Sequence, residues 1–201
     1  MKRATRNPVK SKQEIIEKAA PVFNTYGFAG TKLDMLIEAT GFQKGGIYGH
    51  FKNKMDLARA AFQHNFQQLK ATYLAESDAS LSPKERLLGF LQRYKAYLSK
   101  PPVAGGCPIL NMATEADDTD ETNRLLVKAA INEWKDSLVV ILEKGIQTGD
   151  FRSDINPAQE AFFIISSIEG SIMLGQVKRS LGLMLGVADS LEKYVRTAIF
   201  K

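Results

Sequence analysis

Few residues in this 201-residue chain could do covalent or metal chemistry. The sequence holds two histidines, His50 and His64, and one cysteine, Cys107. They are too few and too scattered for a nucleophile–base–acid set or a metal-ligand cluster with recognisable spacing. The glycine-dense stretch "TGFQKGGIYGHFKNK" at 40–54 is the other candidate, because closely spaced glycines can cradle a phosphate. It fails that test on spacing. After Gly41 and Gly46 the required Lys-Ser/Thr is replaced by Ile47-Tyr48, and no strand precedes it. The sequence therefore reads as a non-enzyme, with no catalytic residues, no metal site and no cofactor. Cys107 keeps one chemical option. It precedes Pro108 where a helix N-cap is expected, and a helix N-terminus lowers a thiol pKa. It is either a redox or electrophile sensor or a small buried cap residue.

Charge gives the next clue. Residues 1–60 hold 11 Lys and Arg against 5 Asp and Glu, a net +6, whereas the remaining 141 hold 16 against 17, a net −1. Basicity concentrated in the first third suggests a polyanion-binding module on a neutral body. The first residues lead into no apolar run, so no signal peptide is expected. The most apolar segment, "AFFIISSIEGSIMLG", contains Glu169 and is too short to span a bilayer. A cytoplasmic protein with no membrane contact is the expectation.

The elements that must position these residues are helical. Apolar residues recur at three and four from Lys12 to Tyr26, with Gly27 at the expected C-cap. Thr31 is the expected N-cap of a helix over 32–39. The turn "TGFQ" then leads to a short helix from Gln43 to Gly49, followed by a longer one from Asn53. Further helices are expected after Pro83 and Pro108, over 122–147, over 158–175 and over 187–199. No segment alternates with period two, so the fold class is all-α with about nine helices. Two short helices joined by a tight glycine turn on a basic platform form the helix-turn-helix pattern, whose second helix enters the major groove. The glycines would let the backbone approach the duplex or a packed neighbour closely.

The stretch "GTKLDMLIEATGFQKGGIYGHFKNKMDL" resembles the N-terminal domain of the TetR family of transcriptional regulators, matching at Thr31, Gly41, Ile47-Tyr48, Phe51 and Lys52-Asn53-Lys54. The resemblance implies a DNA-binding domain over 1–54 and a ligand-binding and dimerisation domain over 55–201. It also implies that Thr31 and Lys32 grip a phosphate, that Gln43, Lys44 and Gly46 face base edges, and that Tyr48, His50 and Lys54 hold the sugar-phosphate backbone. Gly46 departs from the family pattern, which places a hydroxyl residue there. Ile37 departs too, standing where a small residue is usual.

For the body, the resemblance implies a repressor released from a near-palindromic operator by a small molecule of unknown identity. The alternative is an all-α binding or scaffold protein without DNA specificity. Pocket candidates on the middle helices are Phe62, Phe66, Tyr94 and Met112, together with Trp134, Leu138 and Phe163. A homodimer would pair through Phe162, Ile165 and Ile172, with Leu191, Tyr194, Val195 and Ala198 on the last helix. "AGGCPILNMATE" also resembles a Gly-Cys-Pro motif of a TetR subgroup with electrophile-responsive members.

Overall fold

The computed structural model describes residues 8–74, 80–116 and 120–201. Most of the basic N-terminal arm, the middle of the acidic linker and the side chains of 73 and 74 lie outside the described residues. The described chain is all-α, and its elements in order are α1 (Pro8–Gly30), α2 (Leu33–Thr40), α3 (Lys44–Tyr48), α4 (Lys54–Leu69), α5 (Pro83–Ser99), α6 (Pro108–Ala116), α7 (Glu121–Thr148), α8 (Pro157–Val177) and α9 (Leu181–Tyr194). Single π-helical turns follow α4 and α9.

The chain forms two compact units. The first runs to Gln68 and takes up Val103–Leu125; the second comprises Leu69–Pro102 and Leu126–Lys201. This division differs from the expected cut after Lys54, because the segment carrying Cys107 and α6 packs on α1 by contacts that residue periodicity cannot reveal.

In the first unit, Ile15, Ala19 and Phe23 of α1, Leu36 of α2, Ile47 of α3 and Leu57 of α4 meet in one core. The regular run of α1 ends at Gly27, as expected: that residue takes φ 69° and ψ 175°, the chain kinks, and a further short turn carries α1 to Gly30. Thr31 is not the cap of α2; Lys32 occupies that position with extended backbone.

The second unit is organised by its helix caps and one buried helix face. Ser82 and Glu85 cap α5 reciprocally, with Pro83 in the first turn, and Asn156 caps α8 ahead of Pro157. These are the start signals that a free N-terminal N–H group needs. α9 begins at Leu181, six residues before the expected start at 187, because Ser180 accepts a hydrogen bond from the Leu183 amide and caps it. α8 spans 21 residues, long and apolar enough to cross a membrane by length and composition alone, and longer than the apolar run suggested. Its Ile164, Ile165, Ile168 and Ile172 are buried, and the helix packs along α9. At the far end Phe151 stacks on Phe200 with ring centroids 5.2 Å apart.

Candidate nucleic-acid interface

The α2–α3 pair is locked by local bonds. Gly41 takes the left-handed conformation, φ 72°, and its amide donates to the Ile37 carbonyl at 2.9 Å. The Thr40 hydroxyl donates to the Leu36 carbonyl at 2.6 Å and accepts from the Phe42 amide at 3.2 Å. Only glycine enters that backbone region at no steric cost, so the turn dictates the residue. Beyond it Phe42 folds back into the core and Gln43 restarts the chain as the cap of α3. With five residues α3 could not stand alone. Ile47, fully buried, and Phe51 anchor it to the core.

This anchoring leaves Gln43, Lys44, Gly45 and Gly46 exposed together at the leading end of α3. The glycines differ in what surrounds them. A Cβ on Gly46 would lie 3.3 Å from the Phe42 ring, so Gly46 lets α3 sit against Phe42. A Cβ on Gly49 would lie 3.1 Å from the Gly45 carbonyl. Around Gly45 nothing lies within 4 Å of that position. Both Gly45 and Gly46 are exposed, and of the two Gly45 is the one with open space around it; the expected contact set names Gly46 and omits Gly45. Tyr48 and His50 are half-buried at the far end of α3, Tyr48 against the core. Lys32 is exposed at the start of α2.

Two expected phosphate contacts are internal. Thr31 is buried, and its hydroxyl donates to the Gly27 carbonyl at 2.6 Å. The Lys54 ammonium donates to the carbonyls of Phe28 at 2.6 Å and Thr31 at 2.8 Å, and lies 4.2 Å from the centroid of the Phe28 ring. Carbonyls at the end of α1 lack intrahelical partners, and a lysine is a good ligand for them. Thr31 and Lys54 thus hold the α1–α2 junction to α4 rather than reaching outward. The Asn53 carboxamide accepts from the Asp56 amide at 2.9 Å, and the Asp56 carboxylate accepts from the Lys52 amide at 3.1 Å, a reciprocal cap at the start of α4.

The chain matches the model for "Bacterial regulatory proteins, tetR family" over residues 15–61 and that for "Tetracyclin repressor-like, C-terminal domain" over 83–189. The chain belongs to the TetR family. Among solved TetR-family structures, a regulator from Cytophaga hutchinsonii is 37% identical, with all of both chains covered and a TM-score of 0.87. Another, from Chloroflexus aurantiacus, is 31% identical, covering 98% of this chain and 99% of that one, with a TM-score of 0.91. The HTH-type transcriptional repressor DhaR of Mycobacterium sp. (strain GP1) is 28% identical over 176 residues, which cover 87% of this chain and 86% of DhaR. This TetR-family protein is a DNA-binding transcriptional regulator, and α2–α3 is its helix-turn-helix.

The remaining expected site residues of this TetR-family chain divide between the units. Phe62, Phe66 and Met112 belong to the first; Tyr94, Trp134, Leu138 and Phe163 belong to the second. Tyr94, Trp134 and Leu138 are buried, and the Tyr94 hydroxyl pairs with that of Ser171. Phe163 is instead 47% exposed, its ring 4.6 Å from that of Tyr194. The expected dimer face needs a similar correction. Ile165, Ile172, Leu191 and Val195 are buried within the protomer, closing the second unit's own core. Tyr194 and Ala198 are half-buried, and the Tyr194 hydroxyl donates to Glu160 at 2.9 Å. Of that set only Phe162 is exposed, and the other exposed large apolar residues of α8 and α9 are Phe163, Met173, Leu174, Val177 and Leu181. Cys107 is fully buried immediately before α6.

Proposed function

We propose that the protein is a cytoplasmic repressor that binds a near-palindromic operator as a homodimer and is released by a small-molecule effector held in its second unit. The exposed leading end of α3 carries this reading: Gln43, Lys44 and Gly45 stand clear of the core while Ile47 and Phe51 fix the helix that bears them. Lys44 reaches guanine O6 and N7 in the major groove, and Gln43 reads the neighbouring base edge. The bare backbone at Gly45 lets the duplex lie against the helix. Tyr48, His50 and Lys32 supply sugar-phosphate contacts, which position the helix without reading sequence.

The apolar strip of Phe162, Met173, Leu174 and Val177 on α8 supports pairing with a second copy, because a strip of that kind asks for cover. A two-fold pair presents two α3 helices to successive major grooves, hence the inverted repeat. The buried Tyr94, Trp134 and Leu138 are candidate neighbours of the effector. The name of the relative DhaR supports repression rather than activation. The stretch Gly106-Cys107-Pro108 resembles the electrophile-responsive subgroup. A thiol closed to solvent favours the alternative role, a small packing residue before α6.

Footprinting on DNA upstream of the protein's own gene tests the proposal. We expect a protected inverted repeat, with affinity falling steeply between low and moderate salt as phosphate contacts release counterions. A uniform, sequence-independent retardation would favour a binding protein without an operator.

A further inference from the structure

The far end of α3 gathers basic groups that its leading end does not use. Phe51 is buried there, and its amide donates to the Ile47 carbonyl at 3.2 Å, so the ring is tied to the helix. The Lys12 ammonium, carried near the start of α1, lies 5.4 Å from the centroid of that ring. Aromatic faces attract cations at such distances. The fold thus brings a lysine from outside the helix-turn-helix to the exit of α3, where Lys52 directly follows Phe51. Both lysines are exposed.

The cations of the first unit divide by their partners. Lys18 donates to Glu14 at 2.9 Å and to the Thr40 carbonyl at 3.4 Å, and Lys54 to the carbonyls at the end of α1. Arg59 donates to Asn123 at 2.7 Å and to Asp120 at 3.1 Å. Lys12 and Lys52 have no ion pair among the described residues. The neighbouring Asp56 carboxylate is turned onto the Lys52 amide at 3.1 Å, where it caps α4.

The length of α3 says where these two charges stand on a duplex. Its five residues rise about 7 Å along the helix axis. A major groove is roughly 8.5 Å deep. With Gln43 and Lys44 on base edges, the far end of α3 stands at the rim of the groove. Phosphodiester oxygens are the acceptors found there.

We propose that Lys12 and Lys52 each neutralise a backbone phosphate at the rim of the groove that α3 enters, which makes α1 part of the DNA interface. The proposal rests on the helix-turn-helix reading of α2–α3. Base edges then fix one end of a five-residue helix and phosphates fix the other, with Phe51 as the platform that sets Lys12 in place.

Binding of the full-length protein to DNA upstream of its own gene, measured across about 50–200 mM salt, tests it. Each phosphate contact contributes about 0.9 to the slope of log affinity against log salt. Lys12→Gln and Lys52→Gln should each lower the slope by that amount. The ratio of affinities for this DNA and for unrelated DNA should stay within about twofold, because phosphates carry no sequence information. Lys12→Arg, which keeps a cation able to stack on the Phe51 ring, should retain the parental slope. So should Lys128→Gln, which removes one exposed charge from α7. A parental slope in Lys12→Gln would overturn the assignment, and so would an equal fall in Lys128→Gln, which would reduce the effect to net charge. A changed ratio would make Lys12 a base contact and overturn its phosphate role. Salt-independent binding by the unaltered protein would instead overturn the helix-turn-helix reading, and that outcome is visible before any substitution is made.

Discussion

Two parts of the first unit carry residues of the same kinds and use them in opposite ways. At the α1–α2 junction, Thr31 and Lys54 are committed inward, each donating to backbone carbonyls within hydrogen-bonding distance. At the leading end of α3, Gln43 and Lys44 are exposed and point away from a core that holds the helix through Ile47. A lysine in a helix-turn-helix segment is therefore not a DNA contact by virtue of its charge. What decides is whether unpaired carbonyls lie within its reach, and the kink at Gly27 supplies them to Lys54.

The sharpest way to break this contrast is to exchange the consequences of the two lysines. Lys54→Met removes two charge-assisted hydrogen bonds and should cost about 2–4 kcal/mol in denaturant unfolding. If Lys54→Met instead unfolds like the parent protein and loses only DNA affinity, the inward role is wrong. Lys44→Ala should do the reverse. Stability should change by less than about 0.5 kcal/mol, while discrimination between operator and a single-base variant falls by about 1–3 kcal/mol. Competition gel shifts measure the second quantity. Equal loss on every sequence would make Lys44 a phosphate contact.

How far the sequence carried this contrast depends on the range of the interactions involved. The fold class, the Gly41 turn and the helix start at Pro83 were legible, because periodicity and capping act within a turn or two of the chain. The exposed set Gln43–Lys44 was expected through the family resemblance and not through periodicity. The inward role of Lys54 was not legible, since its carbonyl partners lie 23 and 26 positions away. Nor was the pairing of Asn24 with 104–111, which no local signal announces. On α8 the difficulty was different. That helix is apolar around most of its circumference, so periodicity could not say which residues α9 covers and which are left for a partner. Ile165 and Ile172 went inward, and Met173 and Val177 stayed out.

The second unit offers an inward-committed cluster whose strength can be titrated. Lys95 binds Asp189 at 2.7 Å and Glu192 at 2.8 Å, and Arg196 binds Glu192 at 2.7 Å. Hydrogen bonds from Lys95 first and Arg196 second hold the Glu192 carboxyl below its ordinary value. Its contribution is therefore complete above the unfolded-state pKa of about 4.3 and disappears as pH falls through the lower folded value. Glu192→Gln should flatten the acid side of the stability profile by less than about 1 kcal/mol, since the cluster is partly solvated. An unchanged acid limb in thermal melts from pH 6 down to about 3 would show that other carboxylates set it.

The smallest expected effect is the most pointed, because it asks whether Gly45 serves the fold or the duplex. A helical glycine costs up to about 1 kcal/mol relative to alanine. Gly46 and Gly49 have internal reasons for lacking a side chain, in Phe42 and in the Gly45 carbonyl. Gly45 has none, since a Cβ there meets nothing within 4 Å. If the protein alone set the residue, Gly45→Ala would be stabilising by several tenths of a kcal/mol and neutral for DNA. If the duplex occupies that space, the same substitution should stabilise the free protein and yet weaken operator binding by roughly threefold, several tenths of a kcal/mol in the opposite direction. Melting temperature and operator affinity measured on one preparation separate the outcomes, and movement of both in the same direction would remove Gly45 from the contact surface.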